Sequence, residues 1–234
     1  MMEPKQLLGE ISGGQILDVA TGGGGFIHFL TEGLKSYADI TGIDITDRSA
    51  AAFSDAFKDN PAIHFQNMDA EKMTFSDASF DTVSIANSLH HFDDPKHILA
   101  EMYRVLKPGG HFIVFEMYCD NQTETQLTHV NLHHWWGAVD RLNGVAHNST
   151  HTRQELVDMV KELGLRGVVW TDIVNLEDDP HDPAIIAELA PVFERYLQRA
   201  ESRPDLVEEG KALQQRVKDI GFHSASALIA IGRK

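Results

Sequence analysis

Two groups of residues in this 234-residue chain have types and spacings that can do chemistry. The first is a run of four glycines, Gly22 to Gly25, inside the stretch ILDVATGGGGFIHFL at residues 16–30. An apolar segment ends in Asp18, turns through the glycines and continues with helical spacing. Such a turn lets a ligand approach the backbone, and the helix behind it offers free N–H groups. The second group is histidine. His90 and His91 stand in SLHHFDDP, and five of the thirteen histidines (His129, His133, His134, His147 and His151) fall within residues 129–151. Near neutral pH an imidazole serves as a base, a hydrogen-bonding group or a metal ligand.

The elements that must position these residues alternate along the chain. QILDV (15–19), ADITGID (38–44), IHFQNMD (63–69), FDTVSIAN (80–87) and HFIVFEM (111–117) read as strands. Helical spacing separates them over about 24–35, over 49–59, and in HILAEMYRVLKPGG, whose glycines are expected to stop the helix. After residue 118 the pattern loosens. A helix is expected over 152–165, with Thr152 as N-cap and Glu155 as the return arm of a capping box. GVVWTDIV (167–174) reads as a strand, residues 182–220 as helix broken near Arg203-Pro204, and SASALIAIGR (224–233) as a last strand. Strands alternating with helices predict a parallel sheet flanked by helices. The economical organisation is one α/β domain over residues 1–234, with insertions at about 119–150 and 178–222.

A parallel sheet binds ligands at the carboxyl ends of its strands, and a glycine turn there suits either a dinucleotide or S-adenosylmethionine. The dinucleotide fingerprint G-x-G-x-x-G fails in both frames: from Gly22 its last position falls on Ile27, and from Gly23 on His28. Asp44, about 20 residues beyond the turn, suits the ribose of either ligand and does not discriminate. The ordered set does. DVATGGG (18–24), GID (42–44), NMDAEKMTFSDASFDTVSIANSLHHFDDP (67–95) and RVLKPGGHFIVFE (104–116) together resemble the class I S-adenosylmethionine-dependent methyltransferases. The similarity is to the branch containing the ubiquinone/menaquinone C-methyltransferases and covers about residues 10–118. One departure is Gly23, where the branch usually carries Thr.

The resemblance implies a Rossmann-like, seven-stranded, mostly parallel sheet flanked by helices, with helical lid insertions. It implies S-adenosylmethionine as cofactor and S-adenosylhomocysteine as its product. Asp18 would orient the methionine ammonium through water, and Ala20, Gly22 and Gly24 would admit the cofactor to the backbone. Asp44 would accept both ribose hydroxyls, Ile45 would pack on the adenine, Asp69 beside Ala70 would receive the adenine amino group, and Asn87 would face the methionyl part. Asp81 and LKPGG are assigned structural roles.

Methyl transfer is an in-line displacement that needs alignment above all, and a base where the acceptor is a hydroxyl, thiol or acidic carbon. His91 and Glu116 are the candidate catalytic residues, and for His91 a pocket-shaping role stands beside the catalytic one. Tyr118, His133 and Trp136 are the candidates for contact with the acceptor. His129 and His133 are four apart and share one face of a helix, so a metal set completed by His147 or His151 is one reading of the segment. The other is an amphipathic lid whose histidines, Trp135 and Trp136 cover the acceptor. With no H-E-x-x-H motif and no set of cysteine ligands, the lid is preferred and no metal is assigned.

The bulk composition narrows the partners. A formal charge of −15 disfavours nucleic acid, leaving a small-molecule acceptor. The single cysteine, Cys119, excludes an internal disulfide and a thiolate metal cluster. No apolar run approaches the ~18–20 residues of a membrane span, and MMEPKQLLGEISGG lacks the features of a signal peptide, so a cytoplasmic location is expected. The helices at 182–220 are expected to complete the cap or to form a homodimer surface. Two alternatives remain open: a non-catalytic S-adenosylmethionine-binding protein and, disfavoured by the missing glycine, a dinucleotide-dependent oxidoreductase.

Overall fold

The computed structural model describes residues 4–234. In chain order its elements are α1 (Pro4–Leu8), β1 (Gln15–Val19), α2 (Gly25–Gly33), β2 (Asp39–Asp44), α3 (Asp47–Phe57), β3 (Ile63–Asn67), β4 (Phe80–Ala86), α4 (Pro95–Val105) and β5 (Leu106–Met117). They continue with α5 (Glu124–Leu142), α6 (Arg153–Glu162), β6 (Arg166–Ile173), α7 (Pro183–Arg199), α8 (Pro204–Asp219) and β7 (Ala227–Arg233). Single 3-10 turns lie at Ala70–Lys72 and Leu89–His91. The strands form one sheet in the order β3-β2-β1-β4-β5-β7-β6, with β7 antiparallel to both its neighbours. This is the expected Rossmann-like, mostly parallel, seven-stranded sheet.

The chain runs outward from β1 to β2 and β3, then returns to place β4 on the other side of β1. That reversal opens a crevice at the carboxyl ends of β1 and β4. Side chains alternate across the sheet. Leu17 and Val19 face one layer, with Ile98, Leu99 and Met102 of α4 and Leu156 and Val160 of α6. Ile16 faces the other, with Ile27 and Leu30 of α2 and Phe53 of α3. By the same alternation Asp18 lies on the α2 side, where the strand runs out into the glycine turn.

A third layer stands apart from the sheet. Leu132, Trp135 and Val139 of α5 pack with Leu189 and Phe193 of α7 and Leu213 of α8. The Trp135 indole N–H donates to the Leu206 carbonyl at 2.8 Å, and a Cβ on Gly210 would collide with the Trp135 ring. The buried residues of α5 fall on two opposite faces: Gln126, Val130 and Gly137 on one, Thr128, Leu132, Trp135 and Val139 on the other. A helix buried on both sides shows no single apolar stripe, which is why residues 119–150 lost their periodicity in the sequence.

Two boundaries differ from the sequence expectation. LKPGG does not end α4, which stops at Val105. Leu106 is already extended and pairs with Phe80, and the register shifts before Thr82 pairs with His111. Pro108 disfavours helix at Lys107, so the segment is an irregularity within β5. The helix expected over 49–59 begins earlier, at Asp47, because the Thr46 side chain accepts from the Ser49 N–H. The predicted capping box is present: Thr152 N–H donates to Glu155 at 2.7 Å, and Glu155 N–H to Thr152 at 3.2 Å. Among the described residues no helix is long and apolar enough to cross a membrane.

Candidate functional site

Two cavities meet at the crevice, and both are lined by Ala20, Gly22 and Ser88. One, of about 630 Å³, runs over the ends of β2 and β3 past Asp44, Ile45 and Asp69. The other, of about 580 Å³, runs over Asp18 and Asn87 to Phe26, Phe29, Phe115 and Ile173. The glycine turn lies between them. Ala20 and Gly22 both have positive φ, 53° each, and a Cβ on Gly22 would meet nothing within 4 Å, so bare backbone faces open space there. Gly24 serves the fold instead. Its φ is 85°, and a Cβ would collide with the Phe57 ring.

The carboxylates are held by short, local contacts. Asp44 accepts from the Gly22 N–H and the Thr46 N–H, each at 3.0 Å, and so ties the turn to the end of β2. Asp69 caps the 3-10 turn through the Glu71 N–H at 2.9 Å. Asp18 is 1% exposed and accepts from the hydroxyls of Ser84 and Thr21, each at 2.7 Å. Burial raises its pKa to about 6 against the lowering effect of those two hydroxyls. Ile45, by contrast, is 65% exposed at the rim of the larger cavity, with Ala70 buried further along the same wall. Asn87, with φ 46°, accepts from the Met117 N–H at 3.0 Å and presents its remaining surface to the smaller cavity.

This donor set discriminates between the two ligand classes. An anionic phosphate at the turn would compete with Asp44 for the Gly22 N–H and would face the Asp18 carboxyl. A ligand bearing an ammonium, a diol and an apolar plate meets a buried carboxylate, a surface carboxylate and an uncovered Ile45. S-adenosylmethionine fits these residues and a dinucleotide does not.

Comparison with known proteins agrees with that assignment. Residues 17–114 match the family model described as a methyltransferase domain. Residues 17–114 thus carry a methyltransferase domain, and the same part of the chain is similar to ubiquinone/menaquinone-type methyltransferases. Within it the chain is 38% identical over 111 residues to the demethylmenaquinone methyltransferase of Renibacterium salmoninarum, covering 47% of this chain and 44% of that one. The chain thus spans under half the length of the curated relatives it matches. Similarity to solved structures extends over the whole chain at the level of the fold. The [4+2]-cyclase SpnF superposes with a TM-score of 0.65 at 21% identity, covering 98% of this chain and 79% of the other. A phosphoethanolamine N-methyltransferase of Haemonchus contortus superposes with a TM-score of 0.59 at 15% identity, covering 98% and 51%.

The remaining candidates surround the methyltransferase domain's cleft unevenly. His91 lines the larger cavity, beside Val145 and Ala146 of the segment after α5. Burial, reinforced by His90 and His147, lowers its pKa to about 4. It is therefore neutral at pH 7 and a weak base. Glu116 does not reach either cavity. It is 1% exposed, its Oε2 accepts from the Ser88 and Leu89 N–H groups at 2.9 Å each, and its Oε1 pairs with His90 Nδ1 at 2.8 Å. Both oxygens are occupied in holding the turn after β4. Tyr118 lies in the core between sheet and α6, and burial raises its pKa. Trp136 packs on Tyr196, with ring centroids 5.9 Å apart, and His133 joins other histidines. None of Tyr118, His133 or Trp136 lines the two cavities.

The cavity walls include residues that the sequence did not single out. Phe26, Phe29 and Phe115 form an aromatic trio with centroid separations of 5.4, 5.6 and 6.1 Å. The i, i+3 spacing of Phe26 and Phe29 in GFIHFL was a legible signal of one helix face. Phe115 and Ile173 carried none, because only the sheet order brings β5 and β6 to that wall.

Proposed function

We propose that the whole chain is an enzyme that transfers the methyl group of S-adenosylmethionine to a small, flat, apolar acceptor. The observation that supports it best is the junction of two unlike cavities at Ala20 and Gly22: one with carboxylates for an adenosine, the other with an aromatic trio. The adenosine would lie over Ile45 between Asp44 and Asp69, beside Ala70. The methionine ammonium would face Asp18, with Asn87 along the chain and Ala20 and Gly22 admitting it to the backbone. The acceptor would stack against Phe26, Phe29 and Phe115, within reach of the methyl. The demethylmenaquinone and menaquinone names among the relatives agree with an acceptor of that shape.

The protein's own contribution is alignment and exclusion of water. His91, neutral and weakly basic, would orient the acceptor by hydrogen bonding, and Glu116 would act indirectly by fixing the turn that carries Ser88 and His91. The domain reading is a single methyltransferase unit in which residues 119–150 and 178–222 cover the crevice, in the cytoplasm, with the outer faces of α7 and α8 available to a second copy. Calorimetry with S-adenosylmethionine, S-adenosylhomocysteine and NAD tests the ligand, and mass spectrometry of a quinol panel tests the acceptor. Binding of NAD alone would overturn the reading. A Phe26→Ala variant that leaves KM for the methylated compound unchanged would remove the acceptor from that wall.

A further inference from the structure

In the sequence His129 and His133 share a helix face, with His147 or His151 downstream to complete a set. The fold separates them. His129 Nδ1 accepts from the Ala225 N–H at 2.9 Å, and His151 lies by Cys119, whose N–H its carbonyl accepts at 2.9 Å. His133 and His147 instead meet His90, which comes from the turn after β4, and the ligand-capable nitrogens of these three lie within 4.8 Å of one another. His147 Nε2 and His133 Nδ1 are 3.2 Å apart. That is close to the edge of a tetrahedron with metal–nitrogen bonds of about 2.0–2.1 Å, roughly 3.3 Å.

Two further features mark this as a built site. His90 is 1% exposed, and its Nε2 is buried with no hydrogen-bond partner among the described residues. A buried, unpaired imidazole nitrogen is an acceptor lacking its donor. The rear nitrogens, in contrast, rest on buried carboxylates. His90 Nδ1 is 2.8 Å from Glu116 Oε1, and His147 Nδ1 is 2.7 Å from Asp140 Oδ2. Each carboxylate accepts the proton on Nδ1 of its histidine and so fixes the tautomer whose Nε2 is bare. This carboxylate–histidine arrangement is what orients metal ligands. Asp140 is itself held by Arg199 at 2.6 Å and by the Tyr196 hydroxyl at 3.1 Å.

We propose that His90, His133 and His147 bind a divalent transition metal, Zn²⁺ in first place, with Glu116 and Asp140 as positioning residues behind them. Three imidazoles suit a borderline metal, and among the described residues the group numbers three ligands, which leaves one position of a tetrahedral site for water. The ion would join three segments that are distant in sequence: the 3-10 turn at Leu89–His91, helix α5, and the loop that lines the larger cavity through Val145 and Ala146. It would thereby clamp α5 and its loop over the crevice. The proposal is independent of the methyl acceptor and of the methyltransferase activity.

The test uses the full chain without a histidine tag, stripped with a chelator and titrated with Zn²⁺ against a competing chromophoric chelator. One equivalent should bind saturably, and at free Zn²⁺ about 100-fold above Kd the melting temperature should rise by about 5–10 °C. Co²⁺ in place of Zn²⁺ should give the visible absorption of a tetrahedral nitrogen site. His133→Ala should weaken Zn²⁺ binding at least as much as loss of a rear partner, about 10–100-fold. Glu116→Gln would donate its amide to His90 Nδ1, shift the proton to Nε2 and weaken binding by a similar factor while keeping the turn's hydrogen bonds. Circular dichroism verifies that each variant is folded. Absence of saturable binding by the unmodified protein, or an affinity unchanged in both variants, would overturn the proposal and leave His133 and His147 as a hydrogen-bonded pair.

Discussion

The glycine crevice and the histidine cluster are neighbours in space yet opposite in construction. The crevice is assembled from ends of consecutive strands, and each polar contact is local or bridges adjacent strands. Asp44 reaches Gly22 and Thr46, Asp69 reaches Glu71, and Asp18 reaches Thr21 and Ser84. The cluster draws His90, His133 and His147 from a strand end, a helix and a loop, and stands on Glu116 and Asp140. A site of the first kind is written into the chain as spacing. A site of the second kind exists only once the helix carrying it has docked.

The contrast can be broken most sharply at Glu116. Glu116→Ala would strand two buried N–H groups and a buried imidazole, and is expected to destabilise the fold by about 3–5 kcal/mol. Urea unfolding measures this, and a loss below about 1 kcal/mol would mean that the turn after β4 does not depend on its carboxylate. Gly210→Ala forces a methyl into the Trp135 ring and should cost about 1–3 kcal/mol. If cofactor affinity is unchanged in that variant, the α5–α7–α8 layer is energetically separate from the crevice; a matching loss of affinity would join them.

Within the crevice, Asp44→Ala should weaken S-adenosylmethionine binding by about 1.5–3 kcal/mol, the range for hydrogen bonds to a charged group, with only a small change in stability. Asp18 supplies a pH test. Its folded pKa, about 6, lies above the ordinary value of 3.8, so the unliganded fold is favoured by protonation, and that gain is lost as pH rises through 6. A bound ammonium favours the ionised form. Cofactor affinity should therefore fall as pH drops below about 6, with proton release on binding near pH 5.5 and none at pH 8. Calorimetry in buffers of different ionisation enthalpy would detect it. The smallest effect is expected at His91. Its pKa of about 4 makes it a poor base, so His91→Asn should lower kcat by less than the ~100-fold that marks general-base catalysis.

All seven strands were legible, because short apolar runs ending in Asp18, Asp44 and Asn87 alternate with helical spacing. Helix α5 was legible only as a lid without bounds, since its two buried faces cancel any stripe. The end of α4 was misplaced because Pro108 acts one residue upstream of itself, before the glycines can act. Among the site residues, the sequence pointed to Asp18, Ala20, Gly22, Asp44, Ile45, Asp69, Ala70 and Asn87, and the fold sets all of them along the two cavities. It also pointed to Gly24, Glu116 and Tyr118, which face the core, and to His133 and Trp136, which face the cluster instead.

The sequence by itself determined the sheet, the glycine turn and the carboxylates around it. These depend on alternation along strands, on glycine's access to positive φ and on side-chain oxygens capping nearby N–H groups, and each of these acts over a few residues. Tertiary structure alone decided which histidines meet, that both oxygens of Glu116 are taken up in holding the turn after β4, and which aromatic rings form the second wall. Those outcomes depend on how β4, β5 and α5 pack, and packing brings together residues whose separation along the chain carries no period to read.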